Sequence, residues 1–314
     1  MHSSDRPSSD RASAIQKTHN ENGRAPAPED AQAESLRHTQ RSASRRANIA
    51  VSLIPVLVIL ITFLFWYQTW FGRRLSDREM QQYLTDTSVP HKSQHALAQL
   101  ADEIARDRAH AVRWYPQVLA LAENKEAEFR LMSAWVMGQD NQSPQFHQAL
   151  LRLLEDSQPM VRRNAALALV RFGDASGEAE LRNMLEPFNL IAPVAGTLSF
   201  RLKVSDEVPR GSVAARINSG NGEPIEVHSP VEGVLSELRV SDGATVVAGE
   251  KIAILAPSEQ QIWESLRGLY FVGGTQSLAD VERFTRNAPE ISERIREQAA
   301  ATVKEIRRRA KPQS

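Results

Sequence analysis

The sequence predicts an α+β multidomain protein: a single transmembrane helix, an α-solenoid of helical hairpins, and a small β-sandwich inserted into that solenoid. Three observations predict it. One long run near the N-terminus is apolar and uncharged, and one helical pattern recurs at a fixed offset. Between copies of that pattern the texture changes to short runs of Val, Ile, Gly and Pro. A chain of 314 residues has room for two or three small domains.

Composition narrows the chemistry. Lysine plus arginine is 38 and aspartate plus glutamate is 38, so no global excess of positive charge is available to neutralise phosphates. The expectation is no nucleic-acid partner. There is no cysteine, which excludes thiol nucleophiles, disulfides and thiolate metal sites.

The transmembrane helix is expected within 47–72. No residue between Arg46 and Arg73 is charged, and Ile49–Phe71 contains fourteen Ile, Leu, Val or Phe residues. At 1.5 Å per residue this run rises roughly 35 Å, enough for a hydrocarbon core of about 30 Å. Trp66, Tyr67 and Trp70 gather at its C-terminal end as an interfacial aromatic belt would. A cleaved signal peptide would be shorter and nearer the start. Residues 1–46 are polar, with Ile15 and Leu36 the only large aliphatics, so a disordered arm is expected there. The implied location is the inner (cytoplasmic) membrane, with a lipid bilayer as partner and the bulk of the chain extracytoplasmic, periplasmic in a Gram-negative source.

Helical repeats are expected over 76–187. Phe129–Met137 aligns with Val161–Leu169 at an offset of 32, each after a leucine-bearing helix and a polar turn. A third copy, Ile295–Val303, lies far downstream, where Gln261–Val272 and Leu278–Phe284 read as a helical pair. The segment LLRLLEDSQPMVRRNAALALVRFGD resembles the HEAT repeat family. An Asp in the turn, a Val-Arg pair and small residues on the second helix carry the resemblance: Asp156, Val161, Arg162, Ala165 and Ala166, with Ile295 and Arg296 in the distant copy. The first copy departs from it, with Trp135 and Met137 where leucines are usual.

Helical pattern on both sides of a non-helical stretch implies insertion. The β domain is expected over 188–257 and the returning helices over 258–310. Within the β stretch, Ala192–Leu198 parallels Ser229–Leu235, and Val204–Gly211 parallels Val240–Gly249 with a slip of one or two residues. Pro193, Gly196 and Gly211 thus answer to Pro230, Gly233 and Gly249, with Gly243 in the second half only. This pattern resembles the biotin/lipoyl carrier fold and the barrel-sandwich hybrid of HlyD-type membrane fusion proteins. Carriers present a lysine at the joint of the two halves. Here the joint, Ile217–Ile225, has none, and Lys203 and Lys251 lie within the halves, so no covalent biotin or lipoate and no other cofactor is expected. The joint is also too short for the coiled-coil hairpin of efflux adaptors.

No nucleophile-elbow, zincin or phosphate-loop pattern occurs, and His91 and His95 lack an acidic partner to complete a metal set. Catalytic residues and metal ligands are expected to be absent. The function expected is a membrane-anchored, non-catalytic adaptor or scaffold docking a membrane protein complex of transporter type. The alternatives are an accessory subunit of a multienzyme complex without its own carrier lysine, and a regulator whose bulk is cytoplasmic.

Overall fold

The computed structural model describes residues 57–63, 74–220 and 222–311. The chain divides into two units, Met1–Arg73 and Arg74–Ser314.

The first unit requires a correction. Of the expected span, 57–63 is helical; the rest, with Trp66, Tyr67 and Trp70, lies outside the described residues, as does the 1–46 arm. Among the described residues no helix is long and apolar enough to cross a membrane. The longest described helices, Pro90–Arg106 and Glu293–Ala310, carry charges on their exposed faces. The single-pass fold class and the inner-membrane location are therefore overturned, the bilayer partner is not shown, and the described architecture is α+β without a spanning helix.

The second unit opens with α1 (Asp77–Thr85), started by a capping box between Ser76 and Glu79, and α2 (Pro90–Arg106). A short α3 (Arg108–Ala111) leads through one 3₁₀ turn into α4 (Tyr115–Leu121). Then follow α5 (Ala127–Met137), α6 (Pro144–Leu153), α7 (Pro159–Arg171) and α8 (Glu178–Asn183). Proline opens α6 and α7, where a missing N–H costs nothing because that group has no partner inside the helix. Eight strands intervene. The chain then resumes as α9 (Glu259–Val272), α10 (Leu278–Glu282) and α11 (Glu293–Ala310).

The strands are β1 (Phe188–Ile191), β2 (Gly196–Phe200), β3 (Glu207–Val208), β4 (Val213–Asn218), β5 (Ile225–His228), β6 (Gly233–Leu238), β7 (Thr245–Val246) and β8 (Lys251–Ala256). They form two antiparallel four-stranded sheets, ordered β1-β8-β6-β3 and β5-β4-β2-β7. Replacing each strand by its counterpart in the other half converts one order into the other. Every sheet thus takes two strands from each half of the duplication. The backbone bonds repeat as well: Gly211 N–H donates to Ser229 O at 2.7 Å, and Gly249 N–H to Ala192 O at 2.8 Å. Leu190, Leu198, Ile217, Leu235, Ile252 and Leu255 fill the space between the sheets. β1 and β8 pair directly, Phe188 opposite Leu255, so the chain enters and leaves this β unit on adjacent strands.

Candidate functional site: the second-helix face of the stack

The helices form hairpins in which α5, α7, α9 and α11 are the second helices. Burial identifies the equivalence. Three residues after each N-cap stand Phe129, Val161, Gln261 and Ile295; seven after stand Ser133, Ala165, Ser265 and Ala299. All eight are buried.

Four residues after the N-cap, three of these helices carry arginine, and each arginine closes the turn before it. Arg130 donates to Asn124 O and Lys125 O, both at 2.9 Å. Arg162 donates to Asp156 O at 2.8 Å and Ser157 O at 3.4 Å. Arg296 donates to Ile291 O at 2.8 Å. The same arginines tie one hairpin to the next: Arg130 makes a two-pronged pair with Asp156 at 2.6 and 2.9 Å, and Arg162 reaches Glu180 at 3.2 Å. Asp156 in turn accepts from Gln158 N–H at the start of α7. The Arg130 guanidinium holds the Asp156 carboxyl below the usual carboxylate range. At Asp140 and Asp174 burial opposes ionisation. Bonds from Tyr115 and Arg108 at the first, and from Ser176 and His147 at the second, outweigh it and hold both carboxyls low.

The fourth second helix differs. α9 has Ile262 where the others have arginine, because the turn that arginine would close has been replaced by the β unit. Its hairpin partner is α8, reached across the insertion, rather than Leu278–Phe284, which pairs with α11. The interrupted hairpin is held by buried side chains instead. Gln261 donates to Met184 O at 2.7 Å and accepts from Arg163 at 3.0 Å, and Ser265 bonds Leu181 O. Glu178 receives Gly274 N–H at 2.7 Å and the side chains of Gln276 and Ser277. Burial pushes the Arg163 pKa down. The β unit rests on the N-terminal ends of the second helices: Met160 packs against its core, and Arg210 pairs with Glu128 at 2.7 Å.

Small residues allow the close approaches. A Cβ on Gly177 would lie 2.8 Å from the Ala166 methyl, and one on Gly138 would lie 2.9 Å from that of Ala168. In the β unit a Cβ on Gly196 would strike Asn218 O, and one on Gly233 would sit 2.6 Å from Ala256 O, the corresponding place in the other half. Gly211, Gly243 and Gly249 all have positive φ. Pro193 and Pro230 lie in the bends before β2 and β6. Lys251 opens β8, an interior strand, where it faces Ile191 rather than an edge; Lys203 lies in the β2–β3 loop.

The exposed side of the second helices is where apolar groups reach solvent. Nine residues after the N-cap stand Trp135 in α5, Leu167 in α7 and Arg267 in α9, and Trp135 is 43% exposed. Between α7 and α9 runs a groove of about 510 Å³ lined by Leu167, Val170, Arg171, Trp263, Arg267 and Phe271. Phe271 is 55% exposed. The Trp263 ring is held between the guanidinium groups of Arg294 and Arg267, 4.5 and 5.1 Å from its centroid. Each such contact contributes about 0.5–1 kcal/mol at an exposed site, so the pair biases the ring toward this orientation.

Residues 115–187 match the family model of HEAT repeats. The match runs from α4 to the last residue before β1, and the HEAT-like pattern of burial and capping arginine resumes beyond the insertion. Comparison with curated proteins finds no match. HEAT repeats are consistent with binding of protein partners. The sequence singled out Asp156, Val161, Arg162, Ala165, Ala166, Ile295 and Arg296, which build this scaffold; it did not single out Trp263, Arg267 or Phe271, which face outward from it. Trp135 was the one available signal, a large aromatic where the repeat ordinarily has leucine. Among the described residues no group of three or more His, Asp or Glu is placed to hold a metal ion.

Proposed function

We propose that the chain is a non-catalytic scaffold that docks a protein partner on the exposed face of α5, α7 and α9, with the β unit as a second docking module. The preformed aromatic groove carries this reading. Half-exposed Phe271 lines it beside Trp263, whose ring two arginines cover, and Trp135 is half-exposed on α5; aromatic and arginine anchors dominate the energetics of protein interfaces. The duplicated proline-glycine pattern and interleaved sheets of the β unit support reading it as a lipoyl-like module of the non-carrier kind. The membrane anchor of the earlier expectation rested on the span corrected above and is not proposed; a transporter-type complex as the partner rests on the HlyD-like resemblance of the β unit alone.

A photo-crosslinking residue at position 135 or 271 of the full chain should yield a discrete adduct with another protein in native lysate; one at exposed Gln148 on α6 should not. Trp135→Ala with Phe271→Ala should weaken binding to the protein so identified by about thirtyfold or more, the scale of losing a hot-spot residue. Adducts formed equally from all three positions would overturn the reading. An intact mass above the unmodified 35.0 kDa by one biotinyl or lipoyl group would replace it with a carrier function.

A further inference from the structure

Among the described residues, α11 exposes a surface that the equivalent helices α5 and α7 bury. Eight residues after the N-cap, Ala134 and Ala166 are fully buried, and Ala166 lies against Gly177 at the start of the next hairpin. Ala300 holds the same position in α11 and is exposed, as is Ala301 beside it. These two alanines floor a groove of about 1250 Å³ between α10 and α11. Its rim is strongly cationic. Arg286, Lys304 and Lys311 line it without an ion-pair partner among the described residues, and Arg307 and Arg308 line it too. The two carboxylates present are already engaged, Glu282 by Arg307 at 2.7 Å and Glu305 by Arg308 at 2.8 and 2.7 Å. Arg309 caps Leu269 O, Tyr270 O and Gly273 O at the end of α9 and also reaches Glu305 at 3.3 Å.

We propose that this groove seats an acidic amphipathic helix of a protein partner, lying where the first helix of a further hairpin would lie. A helix fits because the equivalent seats on α5 and α7 receive helical hairpins, and alanine permits the backbones to approach closely. An acidic one fits because the unpaired cations surround the floor, and attraction between complementary surfaces sets partner choice and association rate. The site is separate from the aromatic face of α5, α7 and α9, so either can fail without the other.

The test uses the full chain and a fluorescein-labelled helical peptide of about 18 residues, with glutamates on one face and Ala and Leu on the other. A second peptide carries lysine at every glutamate. In fluorescence anisotropy the Glu peptide should bind and the Lys peptide should not, and raising salt from about 50 to about 500 mM should weaken binding. Arg286→Glu with Lys304→Glu should weaken it about tenfold or more. Ala300→Trp should weaken it comparably with charge unchanged. None of these three side chains is buried or ion-paired, so thermal midpoints should stay at the parental value. Equal binding of both peptides, no binding of either, or indifference to Ala300→Trp would overturn the proposal. So would tighter binding of a short nucleic-acid duplex than of the Glu peptide. Self-association abolished by the double charge reversal would reassign the groove to a second copy of the chain.

Discussion

The stack and the β unit are both built by duplication, and they use it in opposite ways. In the stack the copies are hairpins that touch only their neighbours, all but α8–α9 contiguous in sequence, as in quasi-one-dimensional repeat arrays. In the β unit the two copies exchange strands, so neither half owns a sheet. The first arrangement is open-ended and tolerates local damage. The second is closed, and damage to one half is damage to both. The contrast also shows what a hairpin requires. α6 and α7 keep register through their turn, whereas α8 and α9 have a whole β unit in place of a turn and keep register through Gln261, Ser265 and Glu178.

Substitutions can break or sharpen this contrast. The largest effect is expected from Gly233→Val, which drives a side chain into Ala256 O and has no flexible neighbour to displace. A loss of more than about 3 kcal/mol should unfold the β unit as a whole. Limited proteolysis should then cut throughout 190–255 while the helical circular dichroism persists; survival of one half would refute the strand-exchanged description. Next comes Asp156→Ala, which strands the largely buried Arg130 guanidinium and removes the acceptor of Gln158 N–H in the turn before α7. A cost of about 3 kcal/mol is expected in denaturant unfolding, with the β-unit cleavage pattern unchanged. Gln261→Ala should cost about 2 kcal/mol by leaving Met184 O without this donor and Arg163 without this acceptor in the interior. The same loss from the corresponding Val161→Ala would mean that the interrupted hairpin depends on packing, not on these bonds.

A smaller effect is expected from acid. Asp140, Asp156 and Asp174 are all held below their ordinary values in the folded chain. Their contribution is therefore complete above the unfolded aspartate pKa of about 3.9 and is lost as pH falls through the lower folded values. Unfolding midpoints followed downward from about pH 5 should drop, and Asp156→Asn should flatten that slope. The smallest effect is a gain. Ser205 is the only non-glycine residue at positive φ among the described residues, at 79°, and its N–H reaches Leu235 O as that of Gly243 reaches Leu198 O. Ser205→Gly should stabilise by up to about 1 kcal/mol, measured as a raised unfolding midpoint of the β unit.

That last pair also shows how far the sequence could be read. Matching Val204-Ser205-Asp206 to Val240-Ser241-Asp242 by identity is two residues out of step, because a serine in one half does the backbone work of a glycine in the other. The arginines after Asp156 and before Ala165 were legible because a turn-capping side chain must sit at a fixed distance from its helix start. The α8–α9 pairing was not, since its two helices are separated by the entire β unit and α9 lacks the arginine. Trp263 and Phe271 were read only as part of a helical segment, whose periodicity alone does not say which face is outward. The apolar run at 49–71 shows the opposite hazard: composition alone argued for a span, and no described helix is long and apolar enough to make one.

The pairing of β1 with β8 has a consequence for how such a chain could be assembled or rebuilt. Neighbouring strands lie about 4.8 Å apart, so the eight-stranded cassette needs from its host only a gap that an ordinary tight turn already bridges. Any connector between paired helices is such a socket, and the cassette could be spliced out of one and into another without resetting the helices on either side.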